Sequence, residues 1–420
     1  MIQLNFLGAL NTVGASGVLV DTGVEKILMD YGTKIQETPP KFPIPVHGKV
    51  DAILASHTHL DHIGGIPIFY AGGNGCPVYA INVTKPLSEL LLLDSIKISR
   101  DEGIELPFTK KDVKATINNF IPINYRSPFK IHKTVVTAFD AGHIPGSCQF
   151  FLDFHEKTLL YTGDLKTTDT RLLEKADSDL PKVDILITES TYADREHPDR
   201  KKQEKEMVGI IRDTLAVDGV CVIAGFAVGR IDELLLILDH FGIDYPVFID
   251  GMAKKAITII NQHRNLLKEP NSLDKALKKA EYVSGERMRK KIIREPCVIL
   301  STSGMLSGGP IVWYLKRLYD KKNCSLILTS YQVENTPGKI LLETGRFTTK
   351  EFDLELEMFV RRLDFSSHCG RSELFEFIEK VNPEKIFCIH GDHTEEFATE
   401  LRQKGFDAIA PIANNRIFNV

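Results

Sequence analysis

The sequence lacks several features that would assign it to a specialised class of protein. Its seven cysteines are scattered and none forms a Cys-x-x-Cys pair, so neither a disulfide framework nor a cysteine zinc site is expected. No apolar run approaches the ~18 residues needed to cross a membrane, and the first residues do not resemble a signal peptide. The formal net charge is −4, so no overall positive field favours nucleic acid. We therefore expect a cytoplasmic protein with no membrane partner.

The chain is long enough for two domains, with 420 residues of which 43% are hydrophobic and 26% charged. Up to residue 193, short aliphatic runs such as Lys26–Met29 and Thr134–Phe139 have the length and composition of strands, and a Leu-rich helix is predicted from Lys85 to about Arg100.

From residue 194 the pattern changes. A charged helix from Arg200 to about Leu215 precedes the apolar run Gly219–Ala224, and such alternation of helices and strands is typical of a parallel α/β unit. The segment Lys385–His390 then returns to the first pattern. We therefore predict an α/β protein in which a domain of residues 194–362 is inserted into a domain formed by residues 1–193 and 363–420.

The strongest chemical signal is the run His57-Thr58-His59-Leu60-Asp61-His62, which directly follows an apolar strand. A turn there brings three imidazoles and one carboxylate within a few ångströms of one another at the end of the strand. A polar loop with coincidental histidines is the alternative interpretation. The run therefore favours a metal site.

Further donors stand where other predicted strands end, at Asp140 and His143, at Asp164 and at His390. Taken singly, a Gly-Asp or Asp-x-Gly sequence after a strand is typical of a turn. Taken together, they supply histidine and aspartate from separate strand ends, as a polynuclear metal site requires. The donors are nitrogen and oxygen, which suit zinc and also manganese or iron.

In this order the motifs resemble the metallo-β-lactamase superfamily. The segments Thr188–Tyr192, Phe365–His368 and Ile389–Asp392 resemble the three additional motifs of its β-CASP nuclease branch, and the blocks Gly225–Arg230 and Ser303–Gly309 are also similar to that branch. The resemblance is strongest to the nuclease subunit of the cleavage and polyadenylation specificity factor and its archaeal relatives. It implies a metallo-β-lactamase αββα sandwich with an inserted α/β β-CASP domain.

The resemblance also implies a role for individual residues. It implies two Zn²⁺ per chain, with Mn²⁺ as an alternative, and a metal-bridging hydroxide that attacks the RNA phosphodiester. The implied ligands are His57, His59 and His143 for the first ion, Asp61, His62 and His390 for the second, and Asp164 as the bridge between them.

His368 corresponds to the histidine of the family that protonates the leaving oxygen, so the implied catalytic residues are His368, Asp61 and Glu189. Asp30 and Glu189 are implied to orient metal-bound histidines from outside the ligand set. From the residues alone, a loop histidine beside Cys369 is the favoured interpretation of His368, and a turn is an alternative for Asp30.

Two regions are candidate RNA contacts. The basic cluster at residues 287–294 is typical of a solvated helix face, with RNA binding as the alternative. The Gly-rich loop at residues 301–309 offers backbone N–H groups and hydroxyls that suit a phosphate. The predicted phosphate contacts are Arg230, Ser301, Ser303, Gly304 and Gly308.

These inferences predict a zinc-dependent ribonuclease in RNA processing or decay, acting as a 5′-to-3′ exonuclease on single-stranded RNA that carries a 5′-monophosphate. An endonuclease that processes RNA 3′ ends is the main alternative. The insert narrows access to the metals, which disfavours a small-molecule hydrolase, and the full set of ligands disfavours an inactive structural subunit. Besides RNA, a second copy of the chain or an RNA-processing complex is the expected partner. We expect neither an N-terminal RNA-binding extension nor an appended C-terminal domain.

Overall fold

The computed structural model describes residues 2–35 and 37–420. Strands β1 to β22 lie, in chain order, at Gln3–Phe6, Val18–Asp21, Lys26–Met29, Ala52–Leu54, Val78–Ile81, Phe120–Ile123, Phe129–Ile131, Thr134–Asp140, Cys148–Asp153, Thr158–Tyr161, Ile185–Glu189, Val220–Ala224, Val247–Asp250, Ala280–Tyr282, Cys297–Ser301, Ser325–Leu328, Arg346–Thr348, Asp353–Glu355, Phe359–Arg362, Lys385–Ile389, Ala408–Ile409 and Ile417–Asn419.

Thirteen α-helices are found in the described residues, with a short 3₁₀ turn at Arg264–Leu266. Helices α1 to α13 lie at Leu60–Ile63, Pro67–Ala71, Thr84–Asp101, Lys110–Asn118, Arg200–Ala216, Arg230–His240, Ala253–Gln262, Ser272–Leu277, Glu286–Ile292, Pro310–Leu318, Pro337–Thr344, Arg371–Val381 and Thr394–Gln403.

The chain divides into two compact units. The first comprises Met1–Asp169, Glu174–Glu196 and Ser367–Val420, and the second comprises Thr170–Leu173 and His197–Ser366. The four residues Thr170–Leu173 leave the first unit for the second, which the sequence did not predict. The first unit is therefore discontinuous along the chain.

The first unit contains two seven-stranded sheets, in the orders β22-β1-β2-β3-β4-β5-β6 and β21-β20-β11-β10-β9-β8-β7. The sheets face each other, since the rings of Phe6 on β1 and Phe387 on β20 lie 5.0 Å apart. Helices α2, α3 and α4 cover the outer face of the first sheet, and α12 and α13 cover that of the second. This gives four layers, helix–sheet–sheet–helix.

The second unit is built on a parallel six-stranded sheet in the order β14-β13-β15-β12-β16-β19. Every residue of β12 and β15 is buried, as expected for central parallel strands covered on both faces. The carboxyl ends of all six strands lie at one edge, where ligands commonly bind in open α/β sheets. A separate hairpin, β17–β18, completes the strands described in this unit.

Candidate metal centre

The predicted ligands of the first unit stand in loops at the ends of strands. The run from His57 to His62 follows β4 and enters α1, while His143 lies between β8 and β9. Asp164 follows β10, and His390 follows β20. Parallel pairing of β10, β11 and β20 brings their carboxyl ends to the same edge. The topology therefore places donors distant in sequence at one point.

One group of donor atoms consists of three imidazoles and a carboxylate oxygen. His59 Nδ1 lies 3.1 Å from His57 Nε2 and 3.2 Å from His143 Nε2. Asp164 Oδ2 lies 3.5 Å from both of these Nε2 atoms. Tetrahedral zinc with bonds of about 2.0–2.1 Å requires neighbouring donors to be roughly 3.3 Å apart. The spacing therefore suits one zinc ion.

A second group uses the other oxygen of the same aspartate. Asp164 Oδ1 lies 3.2 Å from His62 Nε2 and 3.5 Å from His390 Nδ1. Asp61 Oδ2 lies 3.4 Å from His390 Nε2 and 3.9 Å from His62 Nε2. His57, His59, His143 and Asp164 satisfy the spacing expected of metal-holding side chains, and so do Asp61, His62 and His390. Because each oxygen of Asp164 faces a different group, this carboxylate could bridge two ions.

Several of these donor atoms have no other role in the structure. His62 Nε2, His390 Nε2 and Asp164 Oδ1 are buried and make no hydrogen bond among the described residues. A buried polar atom without a partner costs about 1–3 kcal/mol, so three at one point call for a missing partner. A cation bound to all three would provide it.

Burial favours the neutral, metal-binding form of two of the candidate ligand histidines. Burial lowers the pKa of His57 and of His143 well below the usual value, and neutral imidazole is the form that binds metal. Burial also acts to lower the pKa of His62, but the carboxylates of Asp164, Asp30 and Asp61 outweigh it and raise that pKa well above the usual value. The acidic side chains around His62 therefore favour positive charge there.

Asp30 anchors one of these histidines. Its Oδ2 accepts hydrogen bonds from His62 Nδ1, Ser56 Oγ and the Tyr161 hydroxyl, each at 2.7 Å. Its backbone is left-handed, with φ 55°, a conformation that aspartate tolerates better than most residues. A hydrogen bond to Nδ1 leaves Nε2 of His62 directed at the metal position, as an orienting carboxylate should.

Gly163 shapes the turn that presents Asp164. Its φ is +54°, and a Cβ at this position would lie 2.8 Å from Cβ of Ser56. A side chain here would therefore be strained in backbone and in space.

His368 lies beside the first group without completing it. Its Nδ1 lies 3.0 and 3.1 Å from the two carboxylate oxygens of Glu189, and its Nε2 lies 3.9 Å from Asp164 Oδ2. Burial acts to lower the pKa of His368, but Glu189 and then Asp164 raise it to about 9. These carboxylates favour the protonated imidazole, whose Nε2 is the ring nitrogen that faces Asp164.

Glu189 contacts His368, whereas we predicted that it orients a metal-bound histidine. Besides His368, it accepts the backbone N–H of Leu165 at 2.6 Å. It therefore supports the predicted acid and the loop after Asp164, whereas Asp30 is the carboxylate that contacts a candidate ligand histidine. Asp164, Glu189 and His368 also lie close enough to form a third candidate metal group.

Glu373, which the sequence did not single out, also holds the loops around the site in place. The carboxylate of Glu373 accepts hydrogen bonds from Lys166 Nζ at 2.8 and 3.0 Å, from Thr168 Oγ1 at 2.7 Å and from the Gly370 N–H at 2.7 Å. It joins the loop that follows Asp164 to the loop that follows His368. A glutamate three residues after Gly370, in the first turn of a helix, was the available signal.

Ser56, Tyr161 and Thr191 were also not predicted. Ser56 and Tyr161 contact Asp30, and Thr191 Oγ1 lies 3.2 Å from His390 Nδ1. Ser56 directly precedes the run from His57 to His62, and Thr191 lies within the predicted motif Thr188–Tyr192, which was the available signal. These hydroxyls fix carboxylate and imidazole orientations.

The predicted phosphate contacts lie in the second unit, at the carboxyl ends of β12 and β15. Arg230 is largely buried at the start of α6. Ser301 is fully buried, and its Oγ lies 3.4 Å from the Thr302 carbonyl, so this hydroxyl is not exposed to a ligand. Ser303 Oγ donates to the Gly308 carbonyl at 3.3 Å.

The two glycines of this loop have different surroundings. A Cβ at Gly304 would lie 3.0 Å from Ser330 Oγ and 3.3 Å from the ring of Phe226, whereas Gly308 has open space around it. Gln332 Nε2 donates to the Gly304 carbonyl at 3.0 Å. The loop is therefore held at Gly304 and accessible at Gly308.

Among the helices of the described residues, none combines the length and the apolar character that a membrane span requires.

Comparison with known families agrees with this architecture. Residues 12–189 match the metallo-beta-lactamase superfamily domain, residues 231–341 match the Beta-Casp domain, and residues 353–411 match the Zn-dependent metallo-hydrolase RNA specificity domain. The predicted α/β fold class, with its inserted β-CASP domain, is confirmed.

Individual proteins are similar over nearly the whole chain. Probable RNase MJ4 of Methanocaldococcus jannaschii is 38% identical, covering 99% of this chain and 100% of the relative. RNase aCSPSF2 of Saccharolobus solfataricus is 34% identical, covering 97% of this chain and 83% of the relative. Transcription termination factor FttA of M. jannaschii is 34% identical, covering 96% of this chain and 69% of the relative.

A solved structure shares the fold. The crystal structure of a protein of unknown function from Enterococcus faecalis V583 aligns with a TM-score of 0.65 at 14% identity, over 100% of both chains. The similar sequences, in contrast, establish kinship. The predicted resemblance is thus confirmed: this chain is a metal-dependent hydrolase that belongs to the β-CASP ribonuclease branch of the metallo-β-lactamase superfamily.

Proposed function

We propose that the protein is a zinc-dependent ribonuclease that hydrolyses phosphodiester bonds of single-stranded RNA in RNA processing or decay. The observation that carries this proposal is the pair of donor groups that share Asp164. The match of residues 353–411 to an RNA specificity domain, and the naming of two relatives as RNases, support RNA as the substrate.

Two zinc ions would be held, with manganese as the alternative metal. A bound pair of this kind supplies a water-derived nucleophile at neutral pH and offsets the charge of the phosphate. The proposed ligands are His57, His59 and His143 for one ion and Asp61, His62 and His390 for the other. Asp164 would be shared, since its Oδ2 faces the first group and its Oδ1 faces His62.

His368 would act as the general acid. The hydrogen bond between Nδ1 and Glu189 fixes the ring and leaves Nε2 as the atom that donates a proton to the departing sugar oxygen. Asp30 would hold His62 in its ligating orientation through Nδ1. In this scheme the chain supplies one proton donor and two orienting carboxylates around the phosphate.

For the mode of cleavage, we propose a 5′-to-3′ exonuclease that prefers a 5′-monophosphate. The loop at residues 302–309 supports this, since Gly308 is open and successive N–H groups suit a phosphate. Because the Ser301 hydroxyl is buried, the phosphate would be bound by backbone N–H groups near Ser303, Gly304 and Gly308, together with Arg230.

The test compares one RNA bearing a 5′-monophosphate, a 5′-hydroxyl or a 5′-triphosphate, together with a circular RNA of the same sequence. The proposal expects mononucleotides released from the 5′ end, fastest from the monophosphate, and slow cutting of the circle. Equal rates on the three linear forms, with rapid cutting of the circle, would contradict the exonuclease assignment.

An endonuclease is the second candidate. The similarity to relatives named transcription termination factor favours it, because an internal cut releases part of an RNA whose ends are both unavailable. The circular substrate separates the two candidates, since a circle has no end. Either result is compatible with the same metal ligands.

A further inference from the structure

The positive charge of the chain is concentrated in one segment of the second unit. Residues 254–294 contain 12 Lys and Arg and four Asp and Glu, a net charge of +8, whereas the whole chain carries −4. The remaining residues therefore carry −12. A local excess of this size creates a positive field that attracts anions wherever acidic groups of the chain do not neutralise it.

Some of these cations have internal partners. Arg289 Nε lies 2.6 Å from Asp250 Oδ2, the same oxygen that accepts the Tyr314 hydroxyl at 2.9 Å. Lys279 and Lys275 pair with Asp239. Arg289 therefore belongs to the interior of the unit, although the sequence grouped it with its neighbours as a candidate RNA contact.

Four of the other cations lie on one face of α9 and in the turn that follows it. Arg287 and Lys291 are one helical turn apart, and Lys290 lies beside them. Arg294 follows in the turn after the helix, where its backbone N–H donates to the Lys291 carbonyl. All four side chains are exposed. We call this set, Arg287, Lys290, Lys291 and Arg294, the basic stripe.

The opposite face of the same helix explains why the stripe points outward. Ile292 is buried, and Met288 and Ile293 pack against the core of the second unit. In the stripe, Lys290 has a solvated ion pair with Glu286 at 3.0 Å, which contributes little. Arg287, Lys291 and Arg294 have no ion pair within the described residues.

We propose that the basic stripe binds the phosphate backbone of single-stranded RNA outside the metal centre, which rests on the proposed ribonuclease function. Residues four apart on a helix rise by about 6 Å, comparable with the spacing of neighbouring phosphates along a strand. Tyr282, 38% exposed on edge strand β14 and five residues before Arg287, offers a ring for base stacking. An exposed aromatic residue this close in sequence to exposed cations favours nucleic acid over an acidic protein.

The test measures RNA affinity as a function of salt in a His368→Ala background, so that RNA is not consumed. The stripe variant carries Arg287→Gln, Lys291→Gln and Arg294→Gln. The control carries Lys110→Gln, Lys111→Gln and Lys114→Gln on α4, three exposed lysines whose loss changes the net charge equally. Equal melting temperatures of the variants establish that folding is intact.

Each lost phosphate contact on single-stranded RNA lowers the slope of log affinity against log salt by about 0.7. The slope of the stripe variant should therefore be smaller by about 2 units. The ratio of the RNA affinity of the parent to that of the stripe variant should accordingly fall about 20-fold between about 50 and about 200 mM salt. The control should keep the slope of the parent. With His368 restored, the stripe variant should show a raised KM and a kcat near that of the parent.

Three results would overturn the proposal. An unchanged slope in the stripe variant would contradict RNA binding by the stripe, and so would an equal change of slope in the control. Neither result would contradict the proposed ribonuclease function. Failure of the parent to bind RNA at all would overturn the ribonuclease as well.

Discussion

The carboxyl edges of the sheets in the two units carry similar residue types in opposite states. In the second unit, Asp250 is satisfied by Arg289 and Tyr314, and the hydroxyl of Ser301 is directed at the backbone. In the first unit, Asp164 Oδ1 and His62 Nε2 are buried without a hydrogen bond among the described residues. Polar residues at strand ends thus hold loops in place in one unit and leave buried donor atoms in the other.

This difference separates a structural cluster from a ligand site better than residue identity does. Both edges contain buried carboxylates, and a sequence search treats them alike. A cluster whose polar atoms are mutually paired is complete, whereas unpaired buried atoms destabilise the fold unless a ligand binds them. The substitutions below test this contrast, from the largest expected effect to the smallest.

Replacing Asp164 by Asn should have the largest effect. It removes the carboxylate shared by both donor groups, so metal content should fall and the rate of RNA cleavage should drop on the order of 10³-fold or more. The matched control is Asp250→Asn, which breaks a buried ion pair in the second unit and should lower the melting temperature with metal content intact. Equal metal loss from both variants would break the comparison.

Replacing His368 by Ala should lower the rate by about 10²–10⁴-fold, the usual contribution of a general acid. Metal content should stay at the parental value because His368 stands outside the two main donor groups. His240→Ala, an exposed histidine at the end of α6, is the control and should be neutral. Loss of one metal equivalent from the His368 variant would instead make it a ligand.

Replacing Asp30 by Asn should reduce metal affinity or activity by about 10–100-fold. The amide keeps the shape of the side chain but loses the charge that holds His62 Nδ1. Competition with a chromogenic chelator measures the affinity directly. Parental affinity and activity would show that Asp30 serves only the turn.

Replacing Ser301 by Ala should change the cleavage rate less than about twofold, because its buried hydroxyl contacts the Thr302 carbonyl rather than ligand space. Stability should fall by about 0.5–1.5 kcal/mol at most, the contribution of one hydrogen bond. Denaturant unfolding and initial rates provide both values. A large loss of preference for 5′-monophosphate would restore this hydroxyl as a phosphate contact.

Local patterns in the sequence were sufficient for some features. The spacing from His57 to His62 places four side chains in one turn, and the apolar runs before Asp164 and His390 locate the strand ends that carry them. The helix from Arg200, with its charged first turns, was also evident.

Long-range pairing was not accessible in the same way. The hydrogen bond from Tyr161 to Asp30 joins positions 131 residues apart, and no periodicity encodes such a partner. The same holds for Ser301, because a Gly-rich loop is usually exposed and only the packing of the sheet buries this hydroxyl. Tertiary contacts also assign residues 170–173 to the second unit.

The most direct test of the paired donor groups is the metal content of protein purified without any exposure to chelator, measured by elemental analysis against protein concentration. Sharing of Asp164 between two groups predicts close to two transition-metal equivalents per chain, predominantly zinc. One equivalent or less, in protein that still cleaves RNA at full rate, would contradict the dinuclear centre.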